Sequence, residues 1–178
     1  LEFRRVLFRS KGRCSHFVAK AGWMRADDTL TVTAARSAGA GALLGTTNIA
    51  AVGGVATYTD LAHGLATNIT IRFSSGALSS VTSSVITVSA GSFSMLQVLL
   101  PGQTAAPGTV LGYTGTATVQ RAGTPFTVEV RAVDAGFNLV DTVTDLVGFS
   151  STDTNAVLST NSLVNGTNAF SITMQTPG

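Results

Sequence analysis

From Thr29 onward the chain runs in short stretches that alternate apolar and polar residues, the period-2 pattern of strands buried on one face. The alternation predicts strands over residues 29–34 (Leu30 and Val32 on one face), 55–61, 68–74 (Ile69, Ile71 and Phe73 aligned) and 84–89 (Ile86 and Val88). After Ala90-Gly91 a second series begins. Strands are predicted over 93–100 with Leu96, Val98 and Leu100 in phase, and over 116–121 and 125–134 with Phe126, Val128, Val130 and Ala132 inward. Residues 142–150, 156–160 and 168–175 complete the series, the last with Phe170, Ile172 and Met174 in phase. Turn signals separate the runs: Gly53-Gly54 supplies the positive φ of a tight hairpin, and Pro101-Gly102 closes the strand before it. Helical readings would place β-branched Val, Ile and Thr throughout, at a cost in rotamer freedom. The expected class is all-β, as antiparallel sandwiches.

Two strings in this pattern resemble bacterial immunoglobulin-like repeats. GTTNIAAVGGVATYTDL is similar to the family's G-T-x-x-x-A-x-x-G-V-A-T-F-x-x-L run, and SGALSSVTSSVITVSAG to its last two strands. In the second series, MLQVLLPG followed by AGTPFTVEVRAVDAGFNLV is similar to the opening of such a repeat, with residues 168–174 corresponding to its G-V-A-T-F strand. The connection at His63-Gly64-Leu65 is shorter than the family's usual one, which leaves the pairing of the 68–74 strand open. The resemblance implies tandem immunoglobulin-like antiparallel β-sandwiches, both incomplete in this fragment: 29–91 as the C-terminal part of a first repeat, and 92–178 as a second repeat lacking its last strands. It further implies a non-catalytic stalk or fibre segment of a large secreted or cell-surface bacterial protein, with neighbouring repeats of the same chain as its first partners. A glycan- or protein-binding module, and an accessory module of an extracellular enzyme, are the alternatives.

Composition sharpens this in one place. The formal charge is +2, but residues 1–36 hold eight of the eleven basic side chains against three acids, whereas residues 37–178 hold three against six. The body is mildly acidic and offers no footprint for phosphates, so a nucleic-acid partner is not expected. The first ten residues, LEFRRVLFRS, back-translate in frame to CTG GAG TTC AGA CGT GTG CTC TTC CGA TCT, which resembles a common short-read sequencing adapter over its whole length. Residues 1–10 are therefore expected to be an artefact, and the frame a slice of a longer gene. Residues 11–28 share neither the composition nor the rhythm of residues 29–178 and form an uncertain junction. Phe93–Leu100 is the longest apolar run and is far short of a membrane-spanning helix.

Candidate chemistry is sparse. Asp60 and His63 lie three apart among many serines, but no G-x-S-x-G turn accompanies them, and His63 beside Gly64 is expected to be an exposed turn residue. Cys14 and His16 lack further metal ligands, and one Cys cannot form an internal disulfide. Calcium is the one ligand for which residue types and spacing suffice. Asp134, Asn138, Asp141 and Asp145 supply hard oxygens within twelve residues, as calcium requires. The competing reading is an Asx turn at Asp134 and Asn138, and a second at Asp153 and Asn155. Phe137 and Tyr113 in loops are the aromatic residues through which the alternative binding module would contact a host or surface glycan or protein, although the aromatic residues of an all-β chain are mostly core; an extracellular or cell-surface location suits a chain low in charge and Cys.

Overall fold

The structure, a computed structural model, describes residues 7–10, 15–22 and 30–176, the first two stretches as backbone alone. It contains strands and no helix among the described residues, and the chain divides into two compact units, residues 1–89 and 90–178.

The first unit contains β1 (Leu7–Ser10), β2 (Ser15–Gly22), β3 (Thr31–Ala38), β4 (Leu43–Leu44), β5 (Asn48–Ala50), β6 (Val55–His63), β7 (Asn68–Ser74), β8 (Val81–Thr82) and β9 (Ile86–Thr87). One antiparallel sheet has the order β1-β2-β6-β4, and the other the order β5-β3-β7-β8, with β9 also on β7. The residues expected to be an adapter artefact (1–10) and an uncertain junction (11–28) thus include two strands, the inner of which pairs with β6. Both sheets feed one apolar core: Val32 and Ala34 from β3, Ala56, Tyr58 and Leu61 from β6, and Ile69, Ile71 and Phe73 from β7. Tyr58 and Phe73 meet edge to face, their ring centroids 5.4 Å apart. The Tyr58 hydroxyl donates to the Val32 carbonyl at 2.7 Å, so the one polar atom carried into this core is satisfied. Burial pushes that phenol's pKa up to about 12.

The second unit contains β10 (Met95–Leu99), β11 (Thr104–Ala105), β12 (Tyr113–Thr114), β13 (Phe126–Val133), β14 (Leu146–Val147), β15 (Val157–Leu158), β16 (Asn161–Ser162) and β17 (Thr167–Thr173). Its four-stranded sheet has the order β10-β13-β17-β15, while β14 pairs with β16 and β11 with β12. Val128, Val130, Ala132, Leu163, Phe170 and Ile172 form its core, and Phe149 packs edge to face on Phe170 at 5.2 Å.

The two units share local geometry as well as strand order. Before β6, Val52 and Val55 exchange both main-chain hydrogen bonds around Gly53 and Gly54. Before β17, Val164 and Thr167 do the same around Asn165 and Gly166. All four central residues have positive φ (59° and 74°; 49° and 75°), the geometry of a type I′ hairpin, which glycine and asparagine adopt with least strain. One residue before each hairpin the chain bonds the next sheet in the same way: Ala51 N to Leu30 O, and Leu163 N to Asp145 O, both at 3.0 Å.

Several sequence expectations change. Residues 116–121 form no strand, and Val119 is almost fully exposed, because Thr118 N instead reaches back to the Pro101 carbonyl at 2.8 Å and holds the segment as a loop. The runs at 84–89 and 142–150 shrink to the two-residue strands β9 and β14. In β10 Leu96, Val98 and Leu100 share one face as expected, but burial falls on the other: Gln97 and Leu99 are buried, and Leu96, Val98 and Leu100 are 40–45% exposed. Leu96 and Val98 stand opposite Ala132 and Val130 of β13, so they lie on the core face of the sheet, at an edge the core does not reach.

Candidate functional site

The turn after β13 is built around one carboxylate. Asp134 follows the buried pair Ala132 and Val133, so the strand carries its side chain to the sheet's end, where it is 8% exposed. Oδ1 accepts the main-chain N–H of Gly136 at 2.8 Å and of Asn138 at 2.9 Å. Oδ2 accepts the N–H of Gly91 at 2.8 Å, and the Asn138 amide, itself buried, donates to both oxygens at 3.2 and 3.0 Å. Burial alone would raise this carboxyl's pKa, but the donors from Gly91, Asn138 and Gly136 outweigh it and hold it below the usual carboxylate value. The turn forces Phe137 to a φ of 63°, and its ring lies against Gly112, where a Cβ would collide with it. Gly108 N donates to Gly136 O at 2.8 Å, and Gln97 Nε2 donates to Gly112 O at 2.8 Å. The turn, the loop around β11–β12 and the strand β10 are thereby fixed to one another, and Gly91, at the start of the unit, is clamped to the same carboxylate.

Of the four residues proposed for calcium, the structure brings Asp134 and Asn138 together and leaves Asp141 and Asp145 exposed. Calcium requires oxygens with free lone pairs, whereas both Asp134 oxygens already face N–H donors. The geometry is that of the Asx turn. Asp153 makes the second one: Oδ1 accepts Asn155 N at 3.1 Å, and Oδ2 accepts Gln175 N at 2.7 Å and Thr176 N at 3.0 Å. The bonds from Thr176 and Gln175, joined by the Asn155 N–H, lower its pKa and outweigh the opposing effect of burial. No group of three His, Cys, Asp or Glu side chains positioned for a metal occurs among the described residues.

His63 is 1% exposed, against the expectation of an exposed turn residue. It is the last residue of β6 and follows the buried Leu61 and Ala62, so the strand's end carries it inward. Both ring nitrogens meet main-chain groups: Nε2 lies 2.9 Å from the Ala40 carbonyl, and Nδ1 lies 3.0 Å from the Leu65 carbonyl and 3.2 Å from the Leu65 N–H. Its neighbour Asp60 accepts both the N–H and the hydroxyl of Thr46, at 3.0 and 2.6 Å. Asp60 and His63 thus each hold a different stretch of the loops around β4. Cys14 lies outside the described residues. Tyr113, expected in a loop, begins β12 opposite Ala105; it and Phe137 are half-buried, and Phe137 packs on Gly112.

Sequence reasoning missed a groove of about 570 Å3 in the second unit, lined among others by Leu100, Pro101, Gln103, Thr127, Glu129 and Asn168. Glu129 accepts from Arg131 at 2.9 Å and from the Thr167 hydroxyl at 3.2 Å. The outward phase of Thr127 and Glu129 was readable, but the loop that walls the groove was not.

No family model, no curated protein and no solved structure matches this chain.

Proposed function

We propose that the chain is a segment of a secreted or cell-surface bacterial protein built from tandem immunoglobulin-like sandwiches, with a spatial role, as a stalk or fibre, and no catalysis of its own. The observation that carries this reading is the shared plan of the two units: β2-β6-β4 against β13-β17-β15, each with a type I′ hairpin and a buried aromatic residue three positions into the next strand. Units that each bury their own core and follow one another along the chain suit a spacer, whose length is set by the number of units. Keeping main-chain geometry while side chains vary is what such a role demands. The polar side chains with the chemistry for a site, Asp134, His63 and Asp153, instead close turns and fix loops. The test is a long read through the source locus on both sides of this frame. Further units of the same strand pattern, an export signal and a surface anchor are the expected result. A catalytic domain in direct continuity overturns the reading in favour of an accessory module, and persistence of Leu1–Ser10 in the locus overturns their assignment to an adapter.

A second reading, a glycan- or protein-binding module, is favoured by the groove beside Glu129 and Asn168. Its test is a glycan array probed with the chain and with its Glu129→Ala and Asn168→Ala variants. Binding lost in both variants supports it, and an array without signal removes glycans as its ligand.

A further inference from the structure

In the first unit β3 is paired on both edges: β5 lies on one side, and β7 on the other through Thr33↔Ser74, Ala34↔Phe73 and Ala35↔Arg72. The matching hydrogen bonds before the two hairpins place Leu146 and Val147 of β14 where Thr31 and Val32 of β3 stand, and Phe149 where Ala34 stands. Among the described residues β14 is paired on one edge only, by β16. The consequence is visible in burial. Val32 and Ala34 are 2–3% exposed beneath β7, whereas Val147 and Phe149 are half-buried. Across the core, Leu96 and Val98 point to the same side as the buried Val130 and Ala132 yet remain 45% and 43% exposed.

We propose that the free edge of β14, with Leu96 and Val98 on the facing sheet, is an acceptor slot for one antiparallel strand of the β7 pattern, joined to β17 in cis as β7 is joined to β6. The first unit shows what fits: Asn68–Ser74 presents Ile69, Ile71 and Phe73, each 1% exposed, to the core and leaves Thr70 and Arg72 outward. Main-chain hydrogen bonds to the free edge supply affinity, and the alternating apolar side chains supply register. An uncovered edge beside an apolar face is also a site of unwanted pairing, so filling it protects as well as stabilises. The inference rests on the reading of both units as one architecture.

The test appends residues 67–89 directly after Gly178, which reproduces the spacing from the start of β6 to the start of β7, and compares this chain with the parent by hydrogen exchange, calorimetry and sedimentation. Expected are new amide protection at residues 148–150, a rise of roughly 5–10 °C in the second unit's transition, and loss of both when the appended strand carries Asp at the positions of Ile69 and Ile71. An appended strand that gives neither protection nor a shift overturns the slot. A parent chain that already sediments as a dimer, with Leu96 and Val98 protected in it, overturns the cis occupant in favour of a second copy. Failure here alongside further units in the source locus leaves the stalk reading intact, whereas a catalytic neighbour in the locus leaves this result unaffected.

Discussion

Replacing Asp134 with asparagine keeps the volume of the side chain and removes its charge, which isolates the carboxylate's contribution. The asparagine can retain one acceptor oxygen for Gly136 N–H and Asn138 N–H, but it turns an NH2 toward the N–H of Gly91 and the amide of Asn138. One charge-assisted bond is lost and a donor is left facing a donor in a site that is 8% exposed. Charge-assisted bonds contribute about 1.5–3 kcal/mol net and a stranded buried donor costs about 1–3 kcal/mol; the two overlap, because the stranded donor is the group that lost the bond, so the expected destabilisation is about 2–4 kcal/mol. For a domain of this size each kcal/mol shifts the midpoint by about 4–8 °C, so the second unit's transition should fall by roughly 8–32 °C. Calorimetry of the full chain reads the transition, and hydrogen exchange of the β13 amides assigns it to the second unit. Asp141→Asn, at an exposed position, is the control and should stay within about 0.5 kcal/mol of the parent. The pH dependence gives an independent check. Because the folded pKa lies below the unfolded one, the stabilisation is fully present above the unfolded value and is lost as pH falls through the folded value. The gap between parent and variant should therefore narrow in acid. A variant that unfolds within about 0.5 kcal/mol of the parent at neutral pH, or a gap that does not change with pH, refutes the account of this turn.

Tyr58→Phe leaves the Val32 carbonyl without its 2.7 Å donor and should cost about 1–2 kcal/mol in the first unit; ultraviolet titration of the parent should show one of the two tyrosines ionising only near pH 12. Gly166→Ala should destabilise more than Gly53→Ala, since both positions have positive φ but only at Gly166 would a Cβ collide with the Val140 carbonyl; urea midpoints that reverse this order would show that the hairpin backbone rearranges. Phe170→Ala removes the buried partner of Phe149 and should cost about 3–5 kcal/mol, read as loss of the second unit's transition with the first retained. Millimolar calcium should leave both transitions unmoved, because Asp134 offers no free oxygen lone pair; a rise in either midpoint on adding calcium, reversed by chelator, would show a site elsewhere.

The all-β class, the long strands β6, β7, β13 and β17, and the inward residues of the last three were legible in the sequence by itself. A strand buried on one face must alternate, and Ile69, Ile71, Phe73, Val128, Val130, Phe170 and Ile172 do so without interruption. The Gly53-Gly54 hairpin was legible because few residues tolerate positive φ at both central positions. The Asx turns at Asp134 and Asp153 were legible as one of two alternatives, since a short carboxylate followed by Gly or Asn serves a turn and a cation site equally well until its oxygens are counted. What only the tertiary structure decided depends on distant partners. Apolar content made β10 a strand, but its buried face depends on which side the loop of residues 101–118 folds over, and that loop covers Gln97 and Leu99. His63 is inside because Ala40, twenty-three residues away, supplies its acceptor. Short strands such as β4, β5, β8 and β16 carry no period to read, because two or three residues become a strand only when a neighbour's edge is there to pair with them. The same rule works in reverse at β14, where a run of nine residues was expected to be a strand and two pair: among the described residues β14 has β16 on one edge and no counterpart of the pairing that β7 gives to β3.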